Sequence, residues 1–212
     1  MAVRTRHAQG RQIAESATAM RILEAAKRIL SERGYSRLTL QAVEEESGEY
    51  RALVSYYFGS KQGLVEAIVE DLMQAEDEAL RARLEDIEEP EPRVQALIDE
   101  QRQISADWRG FRAFYELLPH IMRDERLRAD LAADYAQSRE LDRQTLAASQ
   151  GELGDQEGRG AADLDKLAAL SVAIVEGLAV QYAADQDHFD HEGTYLLWEA
   201  MVLAYLRDST QA

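Results

Sequence analysis

The sequence contains no cysteine. That excludes a disulfide framework and any thiolate metal site. Only 3 of the 212 residues are proline and 7% are aromatic. Little interrupts helices, and aromatic side chains that do occur together stand out. No run of apolar residues approaches the ~18 needed for a membrane span. The opening stretch, residues 1–16, has no apolar core of the kind a secretory signal needs. The cytoplasm is the expected compartment. No Gly-x-Ser-x-Gly, His-Glu-x-x-His or phosphate-loop pattern is present, so an enzyme is not expected. No cofactor is implied either.

What is present favours helix. Ala, Leu, Glu, Arg and Gln dominate, and 46% of residues are hydrophobic against 30% charged. Those residues lose little freedom in a helix, so an all-α fold is expected. The formal charge of −16 is unevenly distributed. Residues 1–62 hold 10 basic and 7 acidic residues, a balance of +3, and the remainder carries −19. A mildly basic end suits an anionic partner, whereas an acidic body repels one.

Residues 1–16 read as a flexible basic arm carrying Arg4, Arg6 and Arg11. Helical spacing begins at Met20 and Gly34 stops it. Thr39 is placed to cap a short helix that Gly48 closes. A third short helix follows over about 50–57, and Ser60 caps a long fourth running to about Glu85. A fifth helix starts at Pro90 or Pro92 and reaches about Trp108. An aromatic helix then ends at Pro119, and another spans roughly 125–149. The Gly-rich connection 151–161 precedes two apolar helices, about 163–184 and 191–207. Neither a strand pattern nor a repeat is visible. The expected architecture is about nine helices in three parts: the arm (1–16), a three-helix N-terminal head (17–62) and a helical C-terminal domain (63–212).

The pair of short helices around Gly48 is a helix-turn-helix candidate, with Val43, Leu53 and Val54 supplying the packing. Its second helix would enter a DNA major groove with Tyr50, Arg51 and Ala52 toward base edges. Arg51 can donate two hydrogen bonds to guanine. Tyr56, Tyr57 and Lys61 are placed to meet phosphates, while Phe58 turns back as core.

The stretch from Arg21 through "LTLQAVEEESGEYRALVSYYFGSKQGL" resembles the N-terminal domain of the TetR family of bacterial repressors. Its "LVSYYFGSKQGL" wording is closest to the branch containing the choline/betaine-pathway repressor. The resemblance covers about Met20 to Leu72. It implies backbone contacts for Tyr56, Tyr57 and Lys61, and recognition-helix positions for Tyr50, Arg51, Ala52 and Ser55. Thr39 and Gln41 fall at the start of the preceding helix. "FYELLPHIMRDERLRADLA" and "LSVAIVEGLAVQYA" resemble the ligand-binding and dimerisation domain of that branch. The chain departs from the family pattern at Glu44, where a small residue is usual, at Glu49, and at Tyr50, where a capping Ser is common. From Thr39 to Lys61 four glutamates, Glu44, Glu45, Glu46 and Glu49, oppose two basic residues. That is awkward for a phosphate binder, and it keeps open a helical small-molecule-binding or interaction protein with weakened or lost DNA binding.

For the C-terminal domain, candidate dimer residues are Leu167, Leu170, Ile174, Leu178, Tyr195, Trp198, Met201, Val202 and Tyr205. An internal core is the other reading of the same pattern. Candidate ligand-binding residues are Trp108, Phe111, Phe114, Tyr115, His120, Met122, Tyr135, Glu176 and Tyr182. Glu176 interrupts an apolar run, and a carboxylate there needs a partner, which a cationic ligand among aromatics would provide. A charge facing solvent is the alternative; an apolar effector also remains open. His188 and His191 lie among acids at 185–192, but Asp190 is a ready helix cap there, and no metal site is assigned. The expected partners are a double-stranded DNA operator, a small-molecule effector and a second copy of the chain, with no membrane.

Overall fold

A computed structural model describes residues 16–153 and 160–208. Arg4, Arg6 and Arg11 lie outside these. Among the described residues there are nine α-helices and no strand. They are α1 Ala17–Arg33, α2 Leu40–Ser47, α3 Arg51–Phe58, α4 Lys61–Leu84, α5 Pro90–Ala106, α6 Trp108–Ile121, α7 Glu125–Leu153, α8 Gly160–Ala184 and α9 His191–Asp208. The all-helical expectation holds.

Each boundary has a local cause. Ser16 caps α1 by accepting from the Ala19 N–H, and the Gly34 N–H closes it on the Leu30 carbonyl. A single 3-10 turn, Tyr35–Arg37, leads to Thr39, whose hydroxyl accepts from the Ala42 N–H at 3.0 Å and starts α2. Ser60 caps α4 through the Gly63 N–H at 3.1 Å. Pro90 occupies the first turn of α5, where its missing N–H removes no helical bond. Asp190 caps α9 through the Gly193 N–H at 2.9 Å. Helix α6 does not end at Pro119 as the sequence suggests. It continues to Ile121, because a proline in the last turn is followed by an intact Met122 N–H to Leu118 carbonyl bond.

The chain divides into two compact units. The first comprises Met1–Gln74 and Arg109–Ala132, the second Ala75–Trp108 and Ala133–Ala212. In the first, α1 packs on α2 and α3, and α2 packs on α3. Ile22, Leu23, Ile29, Leu30, Leu38, Val43, Val54 and Phe58 are buried there. Each such side chain contributes about 1.5–3 kcal/mol by leaving water. In the second unit α5 packs on both α8 and α9. Its core joins Leu80, Leu97, Ile98, Leu146, Leu167, Tyr195, Trp198 and Val202, among others. By length and composition alone, the stretch Asp163–Ala184 of α8 would be able to cross a membrane, contrary to the reading that no run is long enough. Only 28% of its apolar stretch is buried within the protomer.

Candidate nucleic-acid interface and effector region

The helix-turn-helix geometry follows from Gly48. Its φ of 72° and ψ of 8° lie in the left-handed region, where a side chain is disfavoured. That single residue turns the chain from α2 into α3. Val43 and Val54 are fully buried across the turn, and Phe58 closes the far end. The opposite face of α3 is left to solvent. Tyr50 is 79% exposed and Tyr56 is 74% exposed, and Arg51, Ala52 and Ser55 are exposed beside them. Thr39 and Gln41 are exposed at the start of α2.

Tyr57 and Lys61 sit differently from Tyr56. The Tyr57 hydroxyl accepts from Ser16 Oγ at 2.9 Å, which ties the end of α3 to the cap of α1. Lys61 donates to the Tyr35 carbonyl at 2.9 Å, with its ammonium 3.7 Å from the centre of the Tyr35 ring. Burial holds its pKa below the usual lysine value. Both residues brace the head as well as bordering its surface.

The four glutamates are engaged inside the protein. Glu46 is paired with Arg28 at 3.2 Å and with Arg33 at 2.9 Å. Glu49 is paired with Arg21 at 2.5 Å. Glu45 accepts from Gln41 at 3.0 Å. Glu44 accepts from the backbone N–H of Arg51 at 3.2 Å. Counting charge over residues 39–61 alone omits the three arginines of α1 that two of these acids meet. The pairs are exposed, so each contributes little stability, but they reduce the field that the acids present to DNA.

The candidate ligand residues fall in two groups. Phe111, Phe114, Tyr115, His120 and Met122 belong to the first unit. Tyr135, Glu176 and Tyr182 belong to the second, as does Trp108. Phe114 is buried, and Tyr115 stacks on Phe111 with ring centroids 6.0 Å apart. His120 stacks on Tyr35 at 3.5 Å. Burial, with Arg123 and Lys61 nearby, keeps its pKa low. Met122 is exposed to solvent rather than enclosed with these rings. Tyr182 packs on the ring of His191. His191 is itself buried and hydrogen-bonded to Ser105 at 2.7 Å, while His188 pairs with Asp185 in solvent.

Tyr135 and Glu176 are brought together, the tyrosine hydroxyl donating to the carboxylate. Around them the second unit gathers acids that sequence reasoning missed. Burial, together with Asp77, Asp107, Glu100 and Glu176, pushes Glu76 up to about 8. Asp142 is also pushed up to about 8, by burial and Asp77, although Gln101 donates to it at 3.1 Å. Asp77 accepts from Gln137 and Ser138, and Glu100 is met by Arg83. No local sequence signal marks them, because acids recur on the solvent face of any amphipathic helix.

The candidate dimer residues divide by burial. Leu167, Leu178, Tyr195, Trp198 and Val202 are buried in the core of their own unit, so they are not available to a second copy. Ile174 packs against the same core. Leu170, Met201 and Tyr205 are exposed, as is Leu196 in the same apolar run, and with them Val180 and Leu197, which the spacing did not single out.

Comparison with known proteins agrees with this geometry. Residues 22–68 match the family described as bacterial regulatory proteins, tetR family. Residues 90–208 match the C-terminal domain of BetI-type transcriptional repressors. The HTH-type transcriptional regulator TtgR of Pseudomonas putida is 35% identical over 65 residues, which are 31% of this chain and 31% of TtgR. A transcriptional regulator from Pseudomonas aeruginosa PAO1 superposes with a TM-score of 0.75 at 17% identity, over 88% of this chain and 89% of its own. A regulator from Saccharomonospora viridis, solved in complex with choline, gives 0.69 at 19% identity, over 89% and 93%. Salmonella enterica GusR gives 0.69 at 21%, over 90% and 95%. These likenesses extend the shared fold over both units, and the chain belongs to the TetR family of bacterial regulatory proteins.

Proposed function

We propose that this TetR-family protein is a homodimeric cytoplasmic repressor that binds palindromic duplex DNA and is released from it by a small cationic effector. The reading head is α3, with Arg51, Ala52 and Ser55 toward base edges and Tyr50 and Tyr56 flanking them. Thr39 and Gln41 border the backbone, with Lys61 at the start of α4 and the arm residues Arg4, Arg6 and Arg11 adding positive charge. A twofold dimer presents two such heads to two half-sites. The exposed apolar faces of α8 and α9 supply its interface.

The observation that carries the effector reading is the acid-rich interior of the second unit. Burial pushes the carboxyl groups of Glu76 and Asp142 up to about 8, and the Glu176 carboxylate accepts from the Tyr135 hydroxyl. A cation beside such groups favours their ionised form and is attracted to the charge it draws out, and aromatic rings add cation–π attraction. The effector acts by binding better to the conformer that does not fit the operator. Helix α4 is one continuous helix contributing residues to both units, which suits it as the lever.

Choline is the first probe, since the S. viridis regulator of this fold was solved with it. The assay is fluorescence anisotropy with a duplex selected from a random library by the protein. Choline weakens binding at least tenfold, whereas 3,3-dimethylbutanol, its neutral isostere, does not. Equal effects of the two, or none from a panel of quaternary ammonium compounds, would reject the cationic effector.

A further inference from the structure

Helix α3 begins without a cap of its own. Tyr50 occupies the N-cap position with extended backbone, and its side chain makes no capping hydrogen bond. The first N–H groups of a helix have no partner within it and must find one elsewhere. Here the preceding helix provides it. Glu44 Oε1 accepts from the Arg51 N–H at 3.2 Å, across seven residues of chain. The same residue's carbonyl accepts from the Gly48 N–H at 3.0 Å. Glu44 therefore holds both ends of the turn: the left-handed glycine through its backbone and the head of α3 through its side chain. The Glu49 N–H, between them, is taken by Ser47 Oγ at 3.2 Å.

We infer that Glu44 is a positioning residue for DNA reading: it caps the recognition helix from the helix before it, and its charge restrains non-specific attraction to phosphate. The inference rests on the reading of α3 as the DNA-contacting helix. A carboxylate at a helix N-terminus also meets the positive end of the helix dipole, which fixes the first turn. Arg51, Ala52 and Ser55 project from that turn and the next, so their direction depends on it. The acid that looks out of place in a DNA-binding motif orders the helix that reads. It also withholds the first N–H of α3 from phosphate, leaving phosphate contacts to residues outside that turn.

Two properties of Glu44, its acceptor oxygen and its charge, can be separated. Glu44→Gln keeps an acceptor and removes the charge, and Glu44→Ala removes both. Each full-length variant is measured against the duplex that the wild type selects from a random library and against a scrambled duplex of equal length, over a salt series. Amide hydrogen exchange at Arg51 to Leu53 is followed in parallel. In Glu44→Ala, exchange at these amides accelerates about fivefold, the equivalent of one lost cap, and the ratio of selected to scrambled affinity falls about tenfold. In Glu44→Gln, exchange stays near wild type, both duplexes bind a few-fold tighter, and the ratio is kept. Tyr50→Ser in the Glu44→Ala background, which restores a cap at the usual position, returns exchange toward wild type. Wild-type exchange and ratio in Glu44→Ala would overturn the inference. So would a ratio lost equally in Glu44→Gln, which assigns the effect to charge alone. If the wild type selects no duplex, the DNA reading itself fails, and the exchange measurements still decide whether Glu44 caps α3.

Discussion

Glu76 and Asp142 have carboxyl groups that burial pushes up to about 8, from ordinary values of 4.5 and 3.8. In the unfolded chain they ionise near those ordinary values, so between about pH 5 and 8 the folded state binds more protons. Stability therefore falls as pH rises through that window and levels off above it. The thermal midpoint should drop between pH 5 and pH 9, with a loss of several kcal/mol from these two sites together. The acidic body contributes in the same direction through general repulsion, so the variants are the decisive comparison. Glu76→Gln and Asp142→Asn should flatten the pH profile and raise the midpoint at pH 9, with little change at pH 5. Unchanged profiles would mean the two carboxyls are ionised in the folded protein. Neither group was visible as a candidate in the sequence. Glu176 was, because an acid inside "AIVEGLA" breaks an apolar run, whereas Glu76 stands in a run of ordinary helix-surface residues.

Between elements, two glycines make different demands. Gly48 needs its positive φ, but a Cβ there would meet open space. Gly63, in the first turn of α4, faces the Phe58 carbonyl oxygen, which a Cβ would overlap. That oxygen also accepts from the Ser60 N–H at 2.7 Å, so it has little room to move. Gly63→Ala should cost about 2–3 kcal/mol through forced backbone shifts, and Gly48→Ala only about 1 kcal/mol of conformational strain. Urea unfolding of both variants tests the order, and a Gly63→Ala loss no greater than that of Gly48→Ala would contradict the close approach. Most helix boundaries were legible, since Thr39, Gly48, Ser60, Pro90 and Asp190 are local signals, whereas the first helix starts at Ala17 behind its Ser16 cap, earlier than the Met20 that the apolar spacing marks. Pro119 misled because a proline in a last turn can be accommodated without ending the helix.

For the molecule as a whole, α8 and α9 carry more apolar surface than one protomer covers. Leu196 is 61% exposed and Leu197 62%, and Leu170, Val180, Met201 and Tyr205 add to the same two helices. Leu197 and Met201 are more than half exposed and lie outside the buried core, so Leu197→Lys with Met201→Lys leaves that core in place. Light scattering should show a monomer for the double variant, with thermal stability no higher than the wild type and operator affinity weaker by at least tenfold. A dimer that persists undiminished would place the interface elsewhere. Spacing alone could not separate the inward from the outward residues on these helices. Both helices are apolar on more than one face, so every candidate fell within an apolar run, and burial alone distinguished Trp198 from Met201.

By itself the sequence determined the helices, their caps, the turn at Gly48 and the family, because these depend on neighbours within a few residues. It also named Arg51, Tyr56 and Glu176 as chemically notable. Tertiary structure decided what depends on pairs distant along the chain. It set Arg21, Arg28 and Arg33 of α1 against the glutamates of the motif. It bound Tyr57 to Ser16 and Lys61 to Tyr35. It collected Glu76, Asp77, Glu100, Asp142 and Glu176 from four helices into one interior. The physical reason is common to all three: a charge has a meaning only in relation to what faces it, and facing is a property of packing rather than of order along the chain.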